Sequence, residues 1–347
     1  MVFGMFLGEK RYLGIDIGSF SIKIIEVVDK KGSLEVVNFG LIPIINFKQV
    51  FSLSQILEES LASILKEFFK TLKIQTKDAV FSITAPYVFP VNFLTPPIPE
   101  KSLPQLVKFE SQKQIPISVE EVEIEYRYTE FQTETQKNWL IFLTAVPKTY
   151  FQRYENLSNL ANLKSIGYSV EYFNLEPFFI LKKGDFICLD LGHSYSLLLL
   201  IRDGKVIYGT KLNLRGYDYL DGISNITKLT EEKVIEFIQK RGFNFNPEER
   251  DLVNLAENYL NNLIKNIEGE IDKVVNKFLI YPSMVYLTGG LTTLSGFKER
   301  FSRKFSKYPF DILDITEHVK GEKFLALKEK STLFSQALGV VFRKILS

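Results

Sequence analysis

The chain has 347 residues, about two to three times the usual length of roughly 100–200 residues for one domain, so it has room for two cores. Lys plus Arg number 43 against 41 Asp plus Glu, a formal net charge of +2, which is too balanced for a protein that works by coating phosphate backbones; nucleic acid is not an expected partner. The single cysteine, Cys188, excludes an intramolecular disulfide, and two histidines, His193 and His318, cannot build a Cys/His zinc cage, so any metal is expected to be held by oxygen. Thirty Phe and sixteen Tyr within 46% apolar residues are enough to fill large cores, and a 24% charged fraction argues against disorder. The opening MVFGMFLGEKR lacks the basic flank and cleavage site of a secretory signal. The longest uncharged apolar run elsewhere, Ser194 to Ile201, is far short of the roughly 20 residues that span a bilayer. A soluble, cytoplasmic chain is expected.

From Tyr12 to Leu41 the runs YLGIDIG, FSIKIIEVV and SLEVVNFGL predict three strands in two hairpins, divided by Gly18-Ser19 and by Asp29 to Gly32. Leu53, Ile56, Leu57, Leu61, Ile64, Leu65, Phe68, Phe69 and Leu72 recur at helical spacing behind Ser52 or Ser54 as N-caps. Ala79 to Thr84 then reads as a buried strand. Residues 86–147 break this rhythm with prolines at 86, 90, 96, 97, 99, 104 and 116. Within them Val122, Ile124, Tyr126 and Tyr128 alternate with Glu121, Glu123, Glu125 and Arg127, the pattern of a sheet with one wet face. This segment is expected to form a small inserted subdomain. Lys148 to Ile166 is expected to be helical, YSVEYF a strand, and Glu176 the start of another helix.

The opening pattern then returns. FICLDLG, SYSLLLLI and Lys205 to Leu214 repeat the order strand, Asp-x-Gly, strand, turn, strand. Helices are expected near 216–226, 230–241 and 248–280, then a buried strand MVYLTGG, a helix from Ser295, a short strand near Phe310 and a last helix from Leu333. Such a repeat implies a duplicated fold with a cleft between its halves. The expected division is 1–85 with 148–184 as a first lobe, 86–147 as the insertion, and 185–347 as a second lobe carrying a helical subdomain over 216–280.

Three motifs carry chemistry. Asp16-Ile17-Gly18 and Asp190-Leu191-Gly192 each end a buried strand and begin a hairpin. Glycine permits positive φ and leaves backbone N–H groups uncovered for an anion, while each aspartate suits a magnesium ion held through water. Thr288-Gly289-Gly290 ends a third buried strand, and its double glycine lets a flat ligand lie against backbone. All three stand at the C-terminal ends of strands, where open α/β sheets bind ligands.

With these motifs in place the chain resembles the superfamily of actin, Hsp70 and the sugar kinases, and within it the PilM family, the actin-like proteins of type IV pilus assembly. RYLGIDIGSFSIKIIEV resembles that family's opening, PPIPEKSLPQLVKFESQKQIPISVEEVEIEYR its inserted subdomain, and VYLTGGLTTLSGFKERF its adenosine motif. The resemblance implies an α/β, duplicated actin-like (ribonuclease H-like) two-lobed fold with an interlobe nucleotide cleft and an inserted α+β subdomain. It implies ATP with magnesium as the cofactor, bound by Asp16, Gly18, Ser19 and Lys23 at the first turn and Asp190 and Gly192 at the second. Gly289, Gly290 and Thr292 would border adenine and ribose, Glu236 would reach the ribose hydroxyls, and Asp16 and Asp190 would hold the metal. Glu176 resembles a glutamate that orients water in some bacterial actins. Asn174, Arg215, Gln239 and Leu291 depart from the family pattern, and turnover is expected to be slow or absent.

The resemblance further implies a scaffold that docks the cytoplasmic N-terminus of a PilN-like membrane partner at the inserted subdomain, beneath the inner membrane with pilus motor and platform proteins. A small-molecule kinase and an FtsA- or MreB-like polymerising protein are the other readings. A kinase needs a positioned base beside the γ-phosphate, and no aspartate stands out in that role.

Overall fold

The computed structural model describes residues 9–44, 55–132, 136–326 and 328–346. In chain order, strands β1 (Lys10–Ile17), β2 (Ser21–Lys30) and β3 (Ser33–Pro43) precede helix α1 (Gln55–Leu72) and β4 (Asp78–Ile83). The candidate N-caps Ser52 and Ser54 lie outside the described residues. Next come β5 (Phe89–Thr95), α2 (Leu103–Gln114), β6 (Val122–Gln132), β7 (Lys137–Pro147), α3 (Lys148–Leu160), β8 (Lys164–Val170) and the single turn α4 (Glu171–Asn174). Then follow β9 (Asp185–Leu191), β10 (Ser196–Arg202), β11 (Lys205–Leu212), α5 (Gly216–Thr227), α6 (Glu231–Arg241) and α7 (Arg250–Phe278). The chain closes with β12 (Met284–Thr288), α8 (Phe297–Ser302), β13 (Phe310–Ile312), α9 (Glu322–Leu325) and α10 (Ser335–Leu346).

Two compact units share these elements. One comprises Met1–Ile83, Phe151–Ser169 and Asp314–Ser347; the other comprises Thr84–Tyr150 and Val170–Leu313. The first holds a five-stranded sheet in the order β3-β2-β1-β4-β8. Both faces of that sheet are covered, which is why its strands read as continuous apolar runs rather than as alternations. Leu13, Ile15 and Ile17 pack with Leu65, Phe81, Leu157 and Ala161 on one side. On the other side α10 lies so close that a Cβ on Gly14 would meet the Ala337 carbonyl and, at 2.8 Å, the Val341 side chain.

The second unit repeats this order as β11-β10-β9-β12-β13. The central pair is parallel in each sheet: Asp16 sits in register with Ser82, and Asp190 with Thr288. One chain with two sheets of the same strand order has the duplicated α/β architecture expected from the repeat. Leu189, Leu198 and Leu287 join Ile223, Ile238, Leu260 and Phe297 in the main core beneath α5 to α8.

The segment 86–147 forms an antiparallel sheet, β5-β7-β6. Its own core joins Val91, Ile141 and Leu143 to Leu103 and Val107 of α2. This sheet belongs to the second compact unit, since its Phe131 and Leu140 enter the main core there. Gly209 of β11 leaves room for Phe142 and Tyr172, whose atoms would lie 3.0 and 2.6 Å from an added Cβ.

The elements differ from the sequence reading at three points. The expected helix Lys148–Ile166 stops at Leu160, and Lys164–Val170 becomes the edge strand β8. The YSVEYF strand ends at Val170, because Glu171 to Asn174 turn helically and all four are buried. Glu176 begins only a short 3-10 turn, Glu176–Phe179. The compact units also cut the chain elsewhere than the expected lobes: residues 170–184 join the second unit, and Asp314–Ser347 joins the first, where the apolar length of α10 is buried along β1 and β4.

Candidate functional site

The hairpin between β1 and β2 is tight, with Gly18 N donating to Ser21 O at 3.1 Å. The antiparallel register sets Lys23 opposite Asp16, and Lys23 Nζ donates to Asp16 Oδ2 at 3.0 Å. Asp16 is 2% exposed, and its other oxygen, Oδ1, is buried without a hydrogen-bond partner among the described residues. Ser19 stands half-buried at the tip. The turn thus gathers Asp16, Gly18, Ser19 and Lys23. The expected positive φ is not present at Gly18, nor at Gly192. Close neighbours favour glycine instead: a Cβ on Gly18 would lie 2.6 Å from the movable Lys23 Nζ, and one on Gly192 would strike the fixed Tyr195 carbonyl.

The second turn follows β9. Asp190 faces Leu197 across the ladder, where Asp16 faces Lys23. Gly192 and His193 spend their carbonyls on α5, accepting from Gly216 N at 3.0 Å and Tyr217 N at 2.9 Å. His193 therefore serves the turn. Because β12 is the parallel neighbour of β9, the Thr288-Gly289-Gly290 turn emerges beside Asp190. Gly289 has φ +91°, and a Cβ there would meet the Asp190 carboxylate and, at 2.7 and 2.8 Å, the backbone O and N of Leu191. Only glycine fits that position. Gly290 is exposed beside it.

Thr292 is buried, and its Oγ1 donates to Gly289 O at 2.7 Å, so it braces the Gly-Gly turn from within. Glu236 lies on the exposed face of α6. The end of α6 is tied to the same turn region, with Phe243 N donating to Ser295 O at 2.8 Å. Asp190, Gly192, Gly289, Gly290 and Thr292 are thus assembled locally, whereas Glu236 is placed by its helix alone.

Among the described residues no group of three or more His, Cys, Asp or Glu side chains is arranged to hold a metal. A magnesium ion held largely through water asks for less than such a group. Magnesium keeps most of its water and takes one or two protein carboxylates plus phosphate, and the orphaned Asp16 Oδ1 is a carboxylate oxygen of that kind.

Glu176 is not free to orient a water. Its carboxylate accepts from Arg127 Nε and NH2 at 3.1 and 2.9 Å, and Oε1 also accepts from Val206 N at 3.0 Å. Burial alone would lower the Arg127 pKa, yet Glu176 and Glu125 hold it above its ordinary value. The guanidinium also lies 4.6 Å over the Phe173 ring. A buried acid so committed joins β6 to β11, a structural use of the Glu176 carboxylate beside the catalytic one expected of it. The wet face read on β6 is likewise partly occupied. Glu125 pairs with Arg127 at 3.0 Å and Glu123 with Lys148 at 3.6 Å, while Glu121 stays exposed.

Sequence reasoning missed Glu171. It is buried, and its Oε2 accepts from Tyr195 OH at 2.7 Å and from Ala85 N at 3.0 Å. One carboxylate thereby ties the second Asp-x-Gly hairpin to the residue just before the inserted segment. The available signal was a glutamate inside an otherwise apolar run.

A profile of the family described as type IV pilus assembly protein PilM matches residues 14–345. Among solved structures, the PilM-PilN type IV pilus biogenesis complex is similar at 19% identity and TM-score 0.79, over 96% of this chain and 98% of that one. The ethanolamine utilization protein EutJ from Carboxydothermus hydrogenoformans is similar at 14% identity and TM-score 0.54, over 97% and 90%. No curated protein sequence matches the chain.

Proposed function

The chain belongs to the PilM family of type IV pilus assembly proteins, and from that membership we propose a nucleotide-binding scaffold that docks the cytoplasmic N-terminus of a PilN-like membrane partner. The observation that supports nucleotide binding is the repetition of one device. Each five-stranded sheet carries an aspartate and a glycine at the C-terminal end of its central strand, and the second adds Gly289-Gly290 beside it. We assign ATP with magnesium to these turns. When bound, the ion supplies charge neutralisation at the phosphates. In the first unit Asp16 supplies a carboxylate and Lys23 a cation; in the second Asp190 supplies a carboxylate and Gly290 leaves backbone open to the base. Hydrolysis is slow or absent, since the Glu176 carboxylate is spent on Arg127 and Val206 N. The family match does not favour the kinase or polymer readings.

Partner docking is assigned to the inserted sheet, where β5 and β6 are edge strands and Leu94 and Phe109 stand exposed as apolar anchors. The complex formed by the similar PilM with PilN supports a partner of that kind. Among the described residues no helix is long and apolar enough to cross a membrane; we assign to such partners, motor and platform proteins among them, a part in placing the chain beneath the inner membrane.

Calorimetry tests both halves. Asp16→Ala should weaken magnesium-dependent ATP binding and Gly290→Val should block it; unchanged affinity in both variants would reject the assigned turns. A PilN-type N-terminal peptide should bind the full chain and lose affinity on Phe109→Glu. Phosphate release should be barely measurable and indifferent to Glu176→Ala once stability is matched.

A further inference from the structure

The strands that carry the nucleotide turns have a second end. The N-terminal ends of β9 and β12 lie about a strand length, roughly 20 Å, from those turns. There the loops before β9, between β10 and β11, and before β12 are stitched together. Gly184 N donates to Asp203 Oδ1 at 3.0 Å, and Ser283 N to Asp185 O at 2.8 Å.

This edge displays large apolar side chains. Leu181 is 84% exposed, Tyr281 75%, Leu279 70% and Ile180 51%. Leu279 also violates a backbone rule. It follows α7 in the left-handed conformation, φ +54°, at the position where helices favour Gly or Asn. Its backbone caps the helix, Leu279 N donating to Val275 O at 2.7 Å, while its apolar side chain is left in water.

The rim is basic. Lys182 and Lys183 follow Leu181 directly, and Lys205 sits on the adjoining β10–β11 turn. Asp185 is neutralised by Arg202, through bonds of 2.6 and 3.0 Å, which leaves Asp203 as the acid beside three lysines. The Lys182 ammonium lies 5.2 Å over the Tyr286 ring, which keeps it at this edge.

We infer that this edge of the second sheet is a peripheral docking surface for an anionic lipid bilayer, with Leu181, Leu279 and Tyr281 entering the headgroup boundary and Lys182, Lys183 and Lys205 meeting lipid phosphates. Apolar tips raised on separate turns and ringed by lysines suit a lipid interface, where insertion and charge attraction add. The inference goes beyond the scaffold reading and does not depend on nucleotide or peptide binding.

Flotation of the full chain with vesicles tests it. The protein should rise with phosphatidylglycerol–phosphatidylethanolamine vesicles, stay behind with pure phosphatidylcholine, and detach as salt is raised. Leu181→Glu and the pair Lys182→Glu with Lys183→Glu should each cut binding about tenfold, since these side chains touch lipid in place of core. Leu279→Asn should cut it severalfold while leaving the melting temperature equal or higher, because Asn suits the left-handed site. The inference fails if the wild-type chain does not float with anionic vesicles or if the folded variants float as it does. It also fails if sedimentation finds a dimer that Leu181→Glu dissolves in the absence of lipid binding.

Discussion

The two Asp-x-Gly hairpins share strand order and register yet differ in what faces the aspartate. Across the β1–β2 ladder Asp16 meets Lys23; across β9–β10 Asp190 meets Leu197. The glycines differ in the same sense. Gly18 is crowded by the movable end of a lysine, and Gly192 by a backbone carbonyl. The first turn is therefore held by charge and the second by backbone packing, with Gly289 pressed against it from the next strand. A duplicated topology has kept its geometry and divided its chemistry.

The largest way to break this difference is Gly289→Ala. The residue would carry positive φ with its methyl inside van der Waals distance of Leu191 backbone, so stability should fall by about 3 kcal/mol or more in urea denaturation. Next, the same side chain can be placed opposite both aspartates. Lys23→Met strands a buried carboxylate and should cost about 3 kcal/mol, with part recovered by adding Asp16→Asn; Leu197→Met, close in volume, should cost less than about 1.5 kcal/mol. Equal costs would erase the distinction between the two turns.

Alanine at the paired glycines sharpens it further. Gly192→Ala should cost about 2 kcal/mol, whereas Gly18→Ala should cost less than about 1 kcal/mol by pushing Lys23 aside. The smallest effect lies away from both turns. Glu257 has its pKa lowered, first by the hydrogen bond from Lys304 and further by Arg300. A carboxylate lowered in the folded state stabilises above its unfolded value, about pH 4.3, and loses that contribution as pH falls through its folded value. Acid titration of Glu257→Gln should show a slightly shallower stability loss below about pH 4.5, modest because the pair is partly exposed.

Much of this was legible in the residues. Asp16 and Lys23 flank a tight turn at a spacing that a hairpin pairs, and sheets covered on both faces announce themselves as apolar runs. The strand-turn-strand repeat was visible for that reason. What stayed hidden depended on partners distant in sequence. Nothing near Glu176 reveals Arg127, which stands 49 positions away. The β-prone EYF turned helical because the burial of Tyr172 and Phe173, with two hydrogen bonds to Glu171, outweighed local preference. Gly18 and Gly192 were rightly marked as turn residues, but for conformational freedom, when the neighbour across the turn imposed them.

The close seat of α10 on Gly14 has a consequence for how the chain is made. Every residue of the second compact unit has been synthesised once Leu313 is added, and that unit can assemble around its own core. Strand β1 is translated ahead of every element of the second unit, yet the face at Gly14 stays bare until Ala337 and Val341 emerge. Closing it joins residues more than three hundred positions apart, a loop closure that is slow and leaves apolar strand surface open to other chains meanwhile. The unit that is begun first is the one completed last.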